Sequence, residues 1–252
     1  MGIHAQDYDY TNELALQSDD MLYGVSMESD AYTLFKHLAA TSSVKTIYDD
    51  TFALINGGEN VLQATLIHES LGLPINKTIF GLTHDKMRLD RYVEHLGGYP
   101  VIIKSVGGSH GVGVMKFDSP SSLYAGVDFL LGSGQQCIMR HFIEHDTHAR
   151  LIVLGNEVID SIAYHKPKRD FRTNVGSKPN VEVQKFGDDI EAIAVRATHA
   201  LGSSFGGVDI MFDSEGRPHI AEVNVPCFFP RAQLVSGVDI AGQIISYLKQ
   251  KS

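Results

Sequence analysis

Apolar residues recur with two different periods along the chain, and each period predicts one type of secondary structure. Helices are expected where apolar positions recur about every three to four residues. That spacing is found in AYTLFKHLAA, ENVLQATLIHESLG, THDKMRLDRYVEHLGG, SPSSLYAGVDFLLGSG, DDIEAIAVRATHALG and GVDIAGQIISYLKQ. Gly72 is expected to end the second helix, Thr83 to be the N-cap of the third, and Gly97-Gly98 to end it. A serine cap is expected for the fourth helix.

Short apolar runs bounded by glycine, proline or asparagine predict the strands. The runs are KTIYDD, LPINKTIF, YPVIIKS, QQCIMRHFI, HARLIVLG, EVIDSIAYH, GGVDIMF and RPHIAEVNV. Gly155-Asn156 is expected to turn between the fifth and sixth runs, and DSEG between the last two. GGSHGVGVMKF, which follows the third run, is interpreted as a flexible hairpin. The opening stretch, up to about Gly58, is weakly patterned and predicts a small first lobe.

Composition removes several functional classes. The chain has 252 residues and 43% hydrophobic content, enough for a substantial core. Its 30 acidic and 21 basic side chains give a charge of -9, so no nucleic-acid partner is expected, because neutralising phosphates takes clustered cations. No apolar run reaches about eighteen residues and the first residues form no apolar leader, so a cytoplasmic protein without a membrane partner is expected. Cys137 and Cys227 lack zinc-site spacing and are expected to be buried free thiols.

The hairpin GVDIMFDSEGRPHIAEVN carries the most informative group of polar residues. Side chains alternate along a strand, so Glu222 and Asn224 share a face, and antiparallel pairing around a turn at residues 213–217 brings Asp209 opposite residue 221 or 222. Two carboxylates and an amide without a neighbouring lysine or arginine would repel one another unless a cation lay between them. Such oxygen ligands suit magnesium. The alternative is a solvent-exposed acidic hairpin end.

Lys104 ends an apolar strand, where a charge is costly without a partner. Gly107, Gly108, Gly111 and Gly113 follow it, and glycines allow backbone N–H groups to approach phosphate oxygens. The spacing matches neither a Walker A motif nor a dinucleotide-binding fingerprint. The segment therefore predicts an anion site of another kind, or a glycine-rich hairpin without a ligand.

A basic loop follows the predicted strand EVIDSIAYH. Its cations are Lys166, Lys168, Arg169, Arg172 and Lys178. Arg172 and Asn174 flank a threonine in FRTN, a polar cluster able to reach an anion, and arginine suits planar bidentate contacts. Composition leaves two interpretations open, an anion site and a solvated loop.

The 12 histidines form neither a Ser/His/Asp pattern nor an HExxH motif. His110, within the glycine-rich segment, and His148, two residues before Arg150, are the two functional candidates. The others are expected to lie at the surface or in satisfied core positions.

Taken in order, VIIKS, GGSHGVGV, CIMRHFIE, HARLIVLGNEVI, FRTN, GGVDIMF, AEVN and GVDIAG resemble the successive motifs of the ATP-grasp superfamily, and specifically of the RimK-like amino acid ligases. The resemblance covers residues 73–248. It implies an α+β (mixed α/β) ATP-grasp fold in which two α+β lobes sandwich ATP. The implied division is a short N-terminal lobe at 1–58 and an ATP-grasp domain at 59–252, with its smaller lobe at 59–139 and its catalytic lobe at 140–252.

The resemblance also implies roles for individual residues. Lys104 matches the lysine that contacts the nucleotide phosphates. The glycine hairpin that closes over the triphosphate is matched by Gly108, Ser109, His110, Gly111 and Gly113. The strand whose backbone meets adenine is matched by Arg140, His141 and Phe142, and the position near the ribose by His148. Residues facing the γ-phosphate and the activated carboxylate are matched by Arg150, Arg172 and Asn174. The metal ligands are matched by Asp209, Glu222 and Asn224.

The implied reaction is carboxylate–amine ligation driven by ATP. Two Mg²⁺ ions, with Mn²⁺ as a substitute, would bridge the ATP phosphates while a carboxylate becomes an acyl phosphate that an amine then attacks. The expected substrates are a small-molecule or peptide carboxylate and an amine, such as an amino acid added to a peptide, a protein tail or a small acid. A homo-oligomer is expected from relatives of this kind.

Three departures from the family pattern keep other functions open. Asn60 stands where a second lysine usually contacts ATP, Arg140-His141 replace a common glutamate, and VPCFFP replaces a small glycine-containing turn after AEVN. The alternatives are a nucleotide-binding regulatory module and an ATP-grasp phosphotransferase. Substrate choice is assigned to the N-terminal lobe and to residues 228–233.

Overall fold

The computed structural model describes residues 5–11, 14–24, 29–44, 46–48, 61–105, 111–172, 180–225 and 227–251. Its helices are α1 (Ser29–Thr41), α2 (Val61–Ser70), α3 (Lys86–Leu96), α4 (Pro120–Gly132), α5 (Asp188–Ala200), α6 (Pro230–Ser236) and α7 (Ile240–Lys251). Its strands are β1 (Met21–Tyr23), β2 (Thr46–Tyr48), β3 (Thr78–Ile79), β4 (Val101–Ser105), β5 (Val114–Phe117), β6 (Cys137–His141), β7 (Thr147–Leu154), β8 (Glu157–His165), β9 (Asn180–Val183), β10 (Phe205–Phe212) and β11 (Pro218–Asn224). Every predicted helix and strand is present. A short 3₁₀ helix (Ala5–Asp7), β1, β9 and α6 were not predicted.

The predicted start of α3 is wrong. Asp85, not Thr83, is the N-cap, and its side chain accepts a hydrogen bond from the backbone N–H of Arg88 at 3.2 Å. Thr83 lies two residues earlier, where its hydroxyl accepts a hydrogen bond from the N–H of Asp85 at 3.1 Å. Aspartate caps at least as well as threonine, so the helix begins at the later of the two candidates. The predicted end is confirmed by Gly97, a left-handed C-cap with φ 99°.

The cap of α4 differs from the predicted one in its bonding. Ser119 occupies the N-cap position, but its side chain makes no capping hydrogen bond to the helix backbone. Its hydroxyl instead lies 3.0 Å from that of Ser122. Pro120 follows at the first helical turn, where its fixed φ suits the helix and its missing N–H costs nothing.

Four antiparallel strands form the first sheet, in the order β3-β6-β4-β5. Helices α3 and α4 cover one face with a core of leucine, isoleucine, valine and methionine side chains. Val101 and Ile103 of β4 point into that core, so Ile102 and Lys104 belong to the opposite face. No described helix of this layer covers the opposite face.

Five antiparallel strands form the second sheet, in the order β11-β10-β7-β8-β9. Helix α5 covers one face, and its approach to β10 is close because Gly206 lacks a side chain: a Cβ there would lie 2.9 Å from a methyl carbon of Thr198. Helices α6 and α7 cover one end of the other face. The other end of that face remains open toward the first sheet.

The N-terminal part contributes a two-stranded parallel sheet, β1 with β2. Met21 and Tyr23 pack against the α6–α7 core of the second layer. The predicted boundary near residue 58 falls outside the described residues. The boundary between 139 and 140 stays a prediction; β6 runs across it and pairs only within the first sheet. No described helix has the length and apolar character to cross a membrane.

Candidate functional site

A cleft of about 310 Å³ lies between the open faces of the two sheets. The first sheet contributes Ile102, Lys104, Val114 and Arg140. The second contributes His148, Arg150, Tyr164, Asp209, Met211, Ala221, Glu222 and Asn224. His141, at the end of β6, also lines the cleft, and the connecting segments add Gly111, Phe142, Phe171 and Arg172, among others. Most of the predicted site residues that the structure describes are thus brought together here.

Some predicted site residues do not line the cleft. Gly113 serves the turn instead: its φ is +81°, and a Cβ there would lie 1.9 Å from the Ser105 hydroxyl oxygen. Gly108, Ser109, His110 and Asn174, together with Asn60, lie outside the described residues. Their predicted roles stay predictions.

The β10–β11 hairpin has the predicted pairing. Asp209 lies opposite Glu222, and Gly207 lies opposite Asn224. The register then shifts so that Ile210 pairs with Ile220, which leaves Ala221 as an extra residue on β11. This bulge turns Ile220 into the α5 core while Glu222 and Asn224 keep facing the cleft. Strict alternation would have placed Ile220 on the same face as Glu222.

The premise that no lysine or arginine neighbours these carboxylates is wrong. Lys104 Nζ lies 2.9 Å from Glu222 Oε2, and Arg150 donates two hydrogen bonds to Asp209, one of them from Nη2 at 2.7 Å. The lysine comes from β4 of the first sheet, and the arginine comes from β7, which pairs with β10 so that Arg150 lies opposite Asp209. Neither neighbourhood has a local signature in the sequence. A metal ion is therefore not required to keep the two carboxylates together.

The Arg150–Asp209 pair is buried, with 14% and 8% of the two side chains exposed. Burial by itself would raise the pKa of Asp209, but the adjacent guanidinium holds that pKa below its ordinary value. Gly207 makes room for the pair, because a Cβ there would lie 3.3 Å from Arg150 Cδ and 2.5 Å from Cys227 Sγ. Burial also raises the pKa of the Cys227 thiol to about 12. Cys137 and Cys227 are both buried and free, as predicted.

His148 lies on the same face of β7 as Arg150. Burial lowers the pKa of its imidazole to about 4, so the ring is neutral near pH 7. The ring stacks on Tyr164 with centroids 4.7 Å apart, and Nε2 lies 3.7 Å from Asp209 Oδ1. His148 therefore lies against the Arg150–Asp209 ion pair. The role near the ribose stays a prediction.

Arg140 links the two layers. Its guanidinium donates to the carbonyl of Ala221 at 2.9 Å and to the hydroxyl of Thr65 at 2.7 Å. Burial lowers its pKa to about 10. Since Ala221 is the bulged residue of β11 and Thr65 lies on α2, this one side chain joins the first sheet, the hairpin and a helix. Its observed contacts are those of a cross-link between elements.

Arg172 is the one member of the basic loop that lines the cleft among those described. It pairs with Asp170 at 2.7 Å and donates to the carbonyl of Gly111 at 2.8 Å. The loop after β8 is therefore joined to the glycine-rich turn after β4. Lys168 and Arg169 are exposed, as the solvated-loop interpretation expects, and Lys166 pairs with Asp146 at 2.9 Å.

The donor chemistry at the hairpin fits magnesium. Glu222 presents a carboxylate that is 37% exposed, and the Asn224 amide nitrogen donates to Gly207 and Asp209, which leaves its oxygen for a cation. Asp209 is less open, since both of its oxygens accept from Arg150. Within the described ranges no three His, Cys, Asp or Glu side chains converge, so any ion held here relies on two carboxylates and an amide.

The sequence did not single out several cleft residues. His145 is buried, its Nδ1 lies 2.8 Å from the carbonyl of Ile143, and its Nε2 has no partner in the described structure. Phe228 and Arg231 lie in the segment to which substrate choice was assigned, but neither carried a motif. A cation inside a mostly apolar stretch, FFPRAQLV, was the available signal for Arg231.

Comparison with known proteins gives consistent results. A family model described as the RimK-like ATP-grasp domain matches residues 61–248. The chain is 28% identical over 189 residues to a probable alpha-L-glutamate ligase of Klebsiella pneumoniae (strain 342), covering 74% of this chain and 61% of that relative. A probable alpha-L-glutamate ligase of Thioalkalivibrio sulfidiphilus (strain HL-EbGR7) shows the same identity and coverage. The chain thus spans less than two thirds of these relatives.

Solved structures are similar over a larger share of the chain. The ATP-grasp ligase PsnB, complexed with a phosphomimetic variant of a minimal precursor, Mg and ADP, superposes with a TM-score of 0.66 at 21% identity, covering 88% of this chain and 68% of that one. The macrocyclase MdnC, bound with precursor peptide MdnA from Microcystis aeruginosa MRC, superposes with a TM-score of 0.61 at 14% identity, covering 89% and 73%. At these identities the likeness concerns the fold.

Proposed function

This chain belongs to the RimK-like ATP-grasp family and has the ATP-grasp fold, and from that premise we propose that it is an ATP-dependent carboxylate–amine ligase. The proposed reaction activates a carboxylate as an acyl phosphate and couples it to an amine. The relatives' name makes L-glutamate the first amine to test, and the peptide complexes of the structural neighbours make a peptide the first acid to test.

The charge of the cleft is the observation that carries this proposal. The protein as a whole is acidic, with a net charge of -9. The described cleft nevertheless holds more cations than anions: Lys104, Arg140, Arg150, Arg172 and Arg231 against Asp209 and Glu222. A cationic cleft in an acidic protein supports an anionic ligand such as a nucleotide triphosphate beside a carboxylate. The apolar side chains of Ile102, Val114 and Met211 offer surface for a base.

Each described residue has a task in the proposed reaction. Lys104, 14% exposed and aimed at the hairpin, is placed to exchange its contact with Glu222 for a phosphate oxygen. Magnesium held by Asp209, Glu222 and Asn224 would offset charge on the phosphates as the γ-phosphoryl group moves. The number of ions, two, and the exchange of Mg²⁺ for Mn²⁺ remain part of the proposal.

Arg172 would act on the second half of the reaction. The substrate carboxylate oxygen bonds to the γ-phosphorus while the bond to ADP breaks; the amine then attacks the acyl carbon, phosphate leaves and the nitrogen loses a proton. Negative charge develops on the acyl oxygen during that attack, and a guanidinium beside it stabilises this charge. The bond from Arg172 to Gly111 would also keep the glycine-rich turn closed against water.

The experiment that tests the proposal measures binding and turnover separately. Calorimetric titration with a non-hydrolysable ATP analogue is expected to show binding that depends on magnesium. ADP release is expected to require both an acid and L-glutamate. ADP release with the acid alone, accompanied by a stable phosphorylated product, would instead indicate a phosphotransferase. Binding without any ADP release would indicate a regulatory nucleotide-binding module, and absence of binding would contradict all three functions.

Arg172→Ala is expected to separate binding from ligation. Affinity for the ATP analogue should change by no more than about threefold, because the side chain's contacts are with Asp170 and Gly111. ADP release that depends on acid and amine should fall by about 100-fold, the usual cost of removing one preorganised donor at a developing oxyanion. Arg169→Ala, an exposed arginine of the same loop, is the matched control and should retain full activity. Equal activity in the two variants would remove Arg172 from the mechanism.

The remaining properties are also proposals. A cytoplasmic location is supported by two cysteines that stay buried and unpaired, which suits a reducing compartment. A homo-oligomer is proposed from the resemblance alone, and light scattering of the purified chain would test it.

A further inference from the structure

The cations of the cleft differ in what they already bind. Lys104 is paired with Glu222, and Arg150 is paired with Asp209 through two hydrogen bonds. Arg172 is paired with Asp170 and bonded to the glycine turn. The fourth, Arg140, is buried and donates to a carbonyl and a hydroxyl. Each of these four therefore has an internal partner.

Arg231 is the exception among the cleft cations that the structure describes. It is half-buried and lines the cleft, yet within the described ranges it makes no hydrogen bond and no ion pair. A half-buried guanidinium gains a charge-assisted hydrogen bond when an anion enters the cleft. The fork of an arginine matches the two oxygens of a carboxylate.

The backbone that presents Arg231 is firmly held. Phe229, at the start of α6, packs edge-on against Phe205 with ring centroids 5.9 Å apart. Ser236, at the end of α6, donates to Asp160 at 2.8 Å, and Ala232 is buried against the second sheet. The side chain of Arg231 thus projects into the cleft from an anchored helix, an arrangement suited to selective recognition.

Phe228, three residues before Arg231, supplies an apolar surface to the same cleft. Its ring lines the cleft and is 68% exposed, although the neighbouring Cys227 is buried and Phe229 packs into the core. An exposed phenylalanine and an arginine without a described partner, both lining one cleft, suit a ligand with an apolar part and an anionic part. A nucleotide also joins a base to phosphates, but the proposed function places that base on Ile102, Val114 and Met211, so Phe228 and Arg231 remain for an organic carboxylate.

We propose that Arg231 and Phe228 form a substrate subsite, in which Arg231 binds a carboxylate and Phe228 covers an adjoining apolar group, as in the C-terminal residue of a peptide or an apolar amino acid. The subsite lies after Asn224, on the segment that follows the proposed metal ligands. This carboxylate is bound and not activated. The assignment rests on the proposed ligase function, since it names the kind of substrate that the same cleft would accept.

A binding experiment without turnover tests this subsite. The probes are N-acetyl-L-phenylalanine and N-acetyl-L-phenylalaninamide, titrated into the protein alone and followed by ligand-observed NMR. The acid is expected to bind about 10- to 100-fold more tightly than the amide, as for a hydrogen bond to a charged group. Arg231→Gln should reduce the acid to the affinity of the amide, and Phe228→Ala should weaken both probes alike. Arg217→Gln, an exposed arginine on the distal turn of the hairpin, should change neither.

Three outcomes would overturn the subsite: equal binding of the two probes, binding of neither, or an acid preference that persists in Arg231→Gln. Circular dichroism checks the fold of each variant. If Arg231→Gln does not fold, the ratio of the acid's affinity to the amide's affinity in the wild-type protein still tests the subsite. A separate titration with the ATP analogue should give the same affinity in wild type and Arg231→Gln; a loss of about tenfold or more there, without an acid preference, would assign Arg231 to the nucleotide. Failure of nucleotide binding in wild type would count against the ligase proposal and leave the probe result intact.

Discussion

Replacing Arg150 with methionine is expected to lower the free energy of unfolding by about 3–5 kcal/mol, the usual cost of removing one partner of a buried ion pair. The reason is the carboxylate that stays behind. Asp209 is 8% exposed, and both of its oxygens accept hydrogen bonds from Arg150, so the variant leaves a buried negative charge that has lost its guanidinium and keeps the weaker contact with the Asn224 amide at 3.4 Å. Urea denaturation followed by circular dichroism measures the change.

The double variant Arg150→Met/Asp209→Leu distinguishes this explanation from simple loss of packing. Removing both charges should restore most of the lost stability, because apolar groups of similar volume replace a buried pair at little cost. The matched control is Arg217→Met, whose partner Asp213 lies at the hairpin turn and whose own side chain is 64% exposed. That change should leave the free energy of unfolding close to the wild-type value, because solvent screens an exposed ion pair. A cost below about 1 kcal/mol for Arg150→Met would mean that the pair contributes little to stability.

Glu222→Gln is expected to reduce ADP release by about 1000-fold while the fold is kept, since a neutral amide cannot replace a carboxylate beside magnesium and phosphate charge. Glu222 is 37% exposed and faces the cleft, so the substitution leaves no buried unpaired group other than Lys104 at its 14% exposure. The magnesium dependence of ATP-analogue binding should disappear in the same variant. Calorimetry and an ADP-release assay measure the two effects on one preparation.

Glu215→Gln is the control for Glu222→Gln. Glu215 belongs to the turn of the same hairpin, is 67% exposed and pairs only with Arg217 among the described residues. Its substitution removes one negative charge from the same element without altering the cleft, so ADP release should stay at the wild-type rate. Wild-type activity and unchanged magnesium dependence in Glu222→Gln would contradict the assignment of metal ligands.

Two features of the cleft bear on how the predicted ligands would work. Each carboxylate is already paired, Glu222 with Lys104 and Asp209 with Arg150. A cation that binds Glu222 therefore displaces Lys104 from it. The free energy lost with that ion pair is small if Lys104 moves to a phosphate that arrives with the metal. Asp209 cannot exchange its partner in this way, because Arg150 is buried beside it. We infer that Glu222 and Asn224 are the ligands more readily available.

The position of the unpredicted helix α6 shows a limit of periodicity. The segment is seven residues long, begins at Pro230 and is followed by Gly237, so it offers less than two turns of pattern. Strand β9 was missed for a related reason, since most of its residues are exposed and show no alternation of burial. Both elements depend on packing against β8 for their existence, and neither has a local signal strong enough to predict it.

Local sequence by itself determined the order of the predicted helices and strands, the ends marked by glycines, and the pairing of Asp209 with Glu222 across one short turn. These features depend on neighbours in the chain, where side-chain period and turn geometry act directly. Only the tertiary structure decided that Lys104 pairs with Glu222, that Arg150 pairs with Asp209, and that Arg231 has no partner among the described residues. Those relations join elements distant in sequence. The first depends on how the two sheets pack and the second on the pairing of β7 with β10, which no local period encodes.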